Sequence, residues 1–265
     1  MYLLKNTAKK VIKFIRFFGF KYSCPLCHKN ARVFTPNKKC PGQKIVNKYK
    51  ISSMGERLHY RCPWCNSSDK ERMVWLYLKK EIGILDNTKY RRILHVAPEK
   101  NTRKILSNRF GTRYLSGDMF EGDKRYTKER YGNSVYIDIT DMKDFNDESF
   151  DYVICNHVLE HVPDDILGMS EIYRVLKKGG IAILNVPVSK TLSEIIENDI
   201  IQNPEDRVSA FGQADHVRIY NERGYLNRLA SVGFIPKAIR QSEYLDTNEI
   251  KKSGLNLEKI FVALK

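Results

Sequence analysis

The sequence predicts an α/β fold: a doubly wound, mostly parallel sheet ending in an antiparallel hairpin, preceded by a small four-cysteine module. Three observations predict it. FDYVICNHVLEHV at 150–162 reads as a buried strand that ends in polar residues, and RVLKKGGIAILNVP at 174–187 as a helix end, a Gly-Gly turn and a second buried strand. From residue 92 onward, apolar runs alternate with helical segments, which implies parallel strands joined by crossover helices. Upstream, Cys24-Pro-Leu-Cys27 and Cys62-Pro-Trp-Cys65 form two matched pairs.

In chain order, the first 23 residues read as a basic amphipathic helix. Lys5, Lys9, Lys10, Lys13 and Arg16 break the apolar stretch that a signal peptide needs, and no small-residue cleavage site follows. No run approaches 18 apolar residues, so no membrane span is expected. Residues 1–80 carry 19 Lys/Arg against 3 Asp/Glu, whereas residues 81–265 carry 27 against 28. The excess charge therefore sits in the first third and suits a polyanion: RNA, an acidic membrane surface or a phosphorylated substrate. A cytoplasmic chain is expected, able to lie on the inner membrane face through its first helix.

The two CxxC pairs each present two sulfurs from one tight turn, and together they complete a tetrahedron for structural zinc. The 34 residues between the pairs require a loop that folds over or beside the ion. Four sulfurs leave no open position for a catalytic water, so this zinc is a scaffold. His28 and His59 flank the pairs as substitute ligands; Cys40 reads as a free thiol or substitute ligand, and Cys155 as a core residue. Ser67-Ser68-Asp69 begins a helix with apolar Met73, Leu76, Tyr77 and Leu78, and the boundary between a module at 1–80 and a domain at 81–265 is placed there. Strands follow at 92–97, 114–117, 135–139, 150–155 and 181–186, with a helix at 99–110 and one closed by Lys177 and Lys178. A polar insertion at 197–207 precedes a helix at 221–232 and strands near 234–240 and 259–264.

The LEH after the fourth strand and the LKKGG before the fifth resemble class I S-adenosylmethionine-dependent methyltransferases, over roughly residues 90–265. That resemblance implies a Rossmann-like sheet, and a zinc-ribbon-like module is expected before it. It also implies a cofactor held at strand ends. Asp118 would take the ribose hydroxyls, Asp138 the adenine amine (or it caps the segment at Thr140), and Asn156 and His157 would line the methyl-transfer site. The first turn departs from the family: in HVAPEK at 95–100, His95 holds the usual acidic position, and Ala97 and Glu99 hold glycine positions. Because the cofactor carries an ammonium and no phosphate, Glu99 can receive the methionine end; it can equally cap its helix.

Methyl transfer to a hydroxyl needs a base. His216 is the candidate, with Asp215 and His161 behind it and His157 nearby; an Asp/His turn that stabilises the loop is the alternative. If the 211–220 segment is extended, His216, Arg218 and Tyr220 share one face and Asp215 the other. The zinc knuckles ending in CPWCNSSDKERMVWLYL, followed by HVAPE, resemble bacterial proteins associated with surface-polysaccharide methylation, which implies a glycan or lipid-linked glycan acceptor. Two alternatives stand. One is an RNA methyltransferase that uses the basic module to bind RNA, although CNHVLEH is not the Asn/Asp-Pro-Pro-aromatic turn that stacks a flipped base. The other is a non-catalytic binding protein on the same fold.

Overall fold

The computed structural model describes residues 11–86, 88–119 and 134–265. The first ten residues of the basic helix, with Lys5, Lys9 and Lys10, lie outside them; residues 11–17 are helical (α1). The module continues with β1 (Tyr22–Ser23), β2 (Asn30–Ala31), α2 (Gln43–Tyr49) and α3 (Asp69–Lys80). The larger sheet uses β3 (Ile93–Val96), β4 (Tyr114–Asp118), β5 (Val135–Tyr136), β6 (Phe150–Cys155) and β7 (Leu176–Ile183). Between β7 and the final hairpin lie β8 (Val188–Ser189), β9 (Ile196–Glu197) and β10 (Arg218–Asn221), with β11 (Ile235–Arg240) and β12 (Lys259–Leu264) closing the sheet. The helices of this part are α4 (Lys100–Phe110), α5 (Asp165–Val175), α6 (Pro204–Phe211), α7 (Glu222–Ser231) and α8 (Thr247–Lys252).

The seven-stranded sheet has the order β11-β12-β7-β6-β3-β4-β5. Strands β3 to β7 are parallel and β12 runs antiparallel to both neighbours, as the apolar runs and the late hairpin predict. Side-chain alternation splits the core in two. Leu94, Val96, Val153 and Cys155 face α5 and α7. Ile93, Ile154, Ile183 and Val262 face α4 and, continuously with it, Trp75, Leu78 and the cysteine cluster of the module. The module thus covers part of one sheet face.

Three elements differ from expectation. The helix before β7 ends at Val175, and the Lys-Lys-Gly-Gly run belongs to the strand: Leu176 is extended and pairs with Phe150. Gly179, at φ +73°, admits a bulged start rather than stopping a helix. The strand expected over 135–139 closes after Tyr136, because the Asp138 carboxylate accepts from the Thr140 N–H and hydroxyl and turns the chain there. After β6 the chain makes a 3-10 turn at Leu159–His161, so His157 and His161 do not share an α-helical face.

The loop between the cysteine pairs docks on the insertion. Val46, Ile51 and Met54 pack with Phe211 and Ile219, and the Ser52 N–H donates to Val188 O at 2.8 Å. Gly42 and Gly212 meet so closely that a Cβ on Gly42 would lie 2.2 Å from the Gly212 carbonyl oxygen.

Candidate active site and metal centre

Each cysteine pair turns through a left-handed residue just after its second cysteine, His28 (φ 57°) and Asn66 (φ 63°). The four sulfurs converge, with Cys24 and Cys65 Sγ 3.7 Å apart and Cys27 and Cys62 Sγ 3.8 Å apart. An ion about 2.3 Å from four tetrahedral sulfurs sets them about 3.8 Å from one another, so the cluster fits zinc without rearrangement. The Ser67 hydroxyl lies 3.4 Å from Cys24 Sγ and 3.2 Å from Cys65 Sγ, placed to donate to thiolates. His28 is exposed, His59 is hydrogen-bonded to Tyr22, and Cys40 packs beside the α2 core, so none of them joins the cluster.

Helix α3 carries the module into the sheet. Ser68 caps it by accepting from the Glu71 N–H at 3.0 Å. Glu71 caps α4 in turn: its Oε1 accepts from the N–H groups of Asn101 and Thr102, both at 2.9 Å. Arg72 is fully buried and donates to the carbonyls of His59, Tyr60, Ser67, Ser253 and Gly254, with its guanidinium over the Phe34 ring. Arg57 bridges Asp69 and Glu258, whose carboxylate also accepts from the Ser53 N–H and hydroxyl.

Polar groups gather at the carboxyl ends of β3, β4 and β6, where parallel sheets bind ligands. Ala97 stands in the first turn at φ +46°, with its N–H bonded to Gly117 O. Glu99 precedes α4 but makes no side-chain cap. Its carboxylate closes a buried chain instead: His95 lies between the Tyr114 hydroxyl and Glu99 Oε2, each at 2.9 Å, and Asn156 donates to Glu99 Oε1 at 3.2 Å and accepts from Asn185 at 2.7 Å. Burial opposes the Glu99 charge, but the His95 hydrogen bond and charge outweigh it and hold the carboxyl below its usual range. The acid expected at position 95 has in effect moved to 99, and His95 supports it.

Asp118 ends β4, and its Oδ1 accepts from the Met119 N–H. Asp138 uses Oδ1 for both of its bonds to Thr140, which leaves Oδ2 out of that turn. A cavity of about 260 Å³ opens between these strand ends, lined by Val96, Ile137, Asp138, Ile139, His157 and His161. Its apolar walls with one carboxylate at the rim suit an adenine, and the residues present fit S-adenosylmethionine.

The histidines surround Glu160, which is 2% exposed. His157 Nδ1 lies 3.4 Å and His161 Nε2 3.9 Å from Glu160 Oε1. Burial opposes the Glu160 charge, yet the three rings bring its carboxyl down to about 2. His216 lies beneath His161, edge to face at 4.7 Å between centroids, and burial lowers it to about 4. His157 is lowered too, by burial and then by Lys70. His216, Arg218 and Tyr220 are all buried, whereas Asp215 is exposed; its carbonyl oxygen lies 3.1 Å and its carboxylate Oδ2 3.5 Å from His161 Nδ1. Arg218 donates to the carbonyls of Leu159, Val162 and Pro163, which fixes the turn that carries Glu160 and His161.

Sequence reasoning missed Lys70. Its ammonium makes no hydrogen bond or ion pair among the described residues, and burial followed by the Arg57 charge lowers it while Glu258 and Glu160 pull the other way. A lysine in the first turn of a helix reads as solvated surface, and only the docking of α3 turns it inward. A second cleft, of about 650 Å³, lies beside the first strand ends, walled by Ser52, Asn185, Ser189, Lys190, Asn221 and Arg240 among others.

Residues 98–184 match the family model described as a methyltransferase domain. The match covers 87 of the 265 residues, and the sheet order and strand-end carboxylates agree with a methyltransferase domain there. Similar folds include an S-adenosylmethionine-dependent methyltransferase from Mesorhizobium loti, 14% identical at a TM-score of 0.48, covering 75% of this chain and 100% of that one. Another, from Archaeoglobus fulgidus, is 13% identical at a TM-score of 0.47, covering 84% and 98%. No curated protein matches the chain.

Proposed function

We propose that the chain methylates a hydroxyl of a cell-surface glycan or its lipid-linked precursor. The observation that carries this reading is the 650 Å³ cleft, whose walls offer hydroxyl, amide and cationic groups from the module loop, the insertion and the sheet together. Such a lining suits a polyhydroxylated acceptor better than a stacked base. The exposed Val11, Ile12, Phe14, Ile15, Phe18 and Phe20, interleaved with Lys13, Arg16 and Lys21, suit an anionic lipid surface. Phe14 and Phe17 reach the Trp64 ring, so part of this segment rests on the module. No helix among the described residues is long and apolar enough to cross a membrane.

In this reading Asp118 holds the ribose, Asp138 Oδ2 the adenine amine, and Glu99 the methionine ammonium, kept in place by His95 and Asn156. The first turn around Ala97 lies against the methionine chain, and Lys70 takes its carboxylate. The four cysteines hold a structural zinc. When bound, the cofactor supplies an electrophilic methyl group, and the protein aligns the acceptor oxygen and excludes water. His157 and His161 are the candidate bases for the hydroxyl proton, with His216 and Asp215 positioning His161.

Purified protein is incubated with methyl-labelled S-adenosylmethionine and separated RNA, protein and glycan–lipid fractions of the source cell, with Asp118→Ala as control. Label in the glycan–lipid fraction that the control loses is the expected result. Label in RNA instead makes the basic module an RNA arm, and no label with no cofactor binding leaves a binding protein.

A further inference from the structure

Glu160 is an anion with too few partners. It is 2% exposed, its Oε2 has no hydrogen-bond partner, and its Oε1 reaches only His157 at 3.4 Å and His161 at 3.9 Å. The Lys70 ammonium makes no ion pair with it within 4 Å among the described residues. A buried carboxylate left this way is costly unless a cation belongs beside it. Two nitrogens complete the surroundings. His216, also 2% exposed, makes no ring hydrogen bond among the described residues, and donor atoms of Glu160, His161 and His216 lie within 4.8 Å of one another. His161 Nδ1 sits against the Asp215 carbonyl oxygen at 3.1 Å, which fixes the tautomer that leaves Nε2 as a lone-pair donor facing Glu160. A carbonyl oxygen that accepts from the far nitrogen is the arrangement that metal-binding imidazoles use.

We propose that Glu160, His161 and His216 bind a first-row divalent cation such as Mn²⁺, Fe²⁺ or Zn²⁺, separate from the four-cysteine ion. Two imidazoles and one carboxylate suit such ions and leave open coordination positions. Ligand atoms about 2.1 Å from an ion stand about 3–4 Å apart, so small side-chain rotations close the site. Bound there, the ion would keep open positions that suit two oxygens of a vicinal diol on the acceptor. A hydroxyl held there would give its proton to His157, and its oxygen would take the methyl group as the S–CH₃ bond breaks, leaving a neutral thioether. The ion's use rests on the methyl-transfer reading; its binding does not.

The test is Mn²⁺ titration of the zinc-loaded full-length chain, read by electron paramagnetic resonance without cofactor or acceptor. One equivalent of bound Mn²⁺ is expected, weakened at least about tenfold in Glu160→Gln and in His216→Asn. His161→Asn, at a half-exposed ring, serves should either buried variant fail to fold, and the melting temperature of each variant checks folding. Absence of binding up to millimolar Mn²⁺, or binding unchanged in all folded variants, overturns the proposal. A chain that binds Mn²⁺ but methylates nothing retains the site and loses the reaction; one that methylates without binding it loses only the site.

Discussion

Arg72 shows how much one side chain carries here. Its five N–H groups reach five carbonyls, two from the far end of the chain, and lysine offers three donors in a different geometry. Arg72→Lys is expected to cost about 3 kcal/mol in urea unfolding, because buried carbonyls lose their donors. Glu99 makes the matching prediction for the cofactor. Glu99→Gln keeps the shape but removes the charge opposite an ammonium, so calorimetry should show S-adenosylmethionine binding weakened about tenfold with little change in stability. Neither role was legible in full from the sequence. The position of Glu99 one turn after a strand marked it as a site residue, but its support by His95 needs strand geometry. Arg72 and Glu71 read as an ordinary helix face, since Glu71 meets residues 30 and 31 positions on and Arg72 reaches carbonyls as far as 182 positions away.

Among elements, β6 and the cysteine knuckles were legible because their signals are local: a continuous apolar run and a fixed spacing. The Lys-Lys-Gly-Gly segment misleads for the same reason, since a local stop signal cannot report that Leu176 pairs with Phe150. The short helices α6 and α8 and the three-stranded sheet in the insertion were illegible, being held by docking more than by periodicity. The Arg57–Glu258 contact joins the module loop to the start of β12 and makes stability depend on pH. Burial alone would raise the Glu258 carboxyl, but Arg57 against it prevails and holds it below its ordinary 4.5. The stabilisation is therefore complete above about pH 4.5 and is lost as pH falls below it. Urea midpoints measured from pH 6 to 3 should fall for the native chain and fall less steeply for Glu258→Gln, which starts lower. For α1, replacing Phe14 and Ile15 by glutamate should reduce co-sedimentation with anionic vesicles several-fold; unchanged sedimentation would remove the membrane contact from the proposal.

In the whole molecule, the cysteine cluster and one sheet face share a single core. Metal removal by a strong chelator should therefore lower the melting temperature of the entire chain in one transition, by about 10 °C or more, instead of releasing a separate early step. Calorimetry with and without chelator checks this. The charge asymmetry was legible from composition alone, but its meaning was not: several of the module's charged groups, Arg57, Asp69, Glu71 and Arg72 among them, are spent inside the fold, and only the remainder faces outward.

The pairing of residues 53, 57 and 72 with 253, 254 and 258 also has a consequence in time. A ribosome adding about 5–20 residues per second takes roughly 10–40 s to travel from one group to the other. Throughout that interval the first third of the chain exists without the surface that completes it, its thiols and apolar helix open to the surrounding solution. The molecule's most vulnerable moment thus falls during its own synthesis, and early zinc capture by the two knuckles would be its first protection.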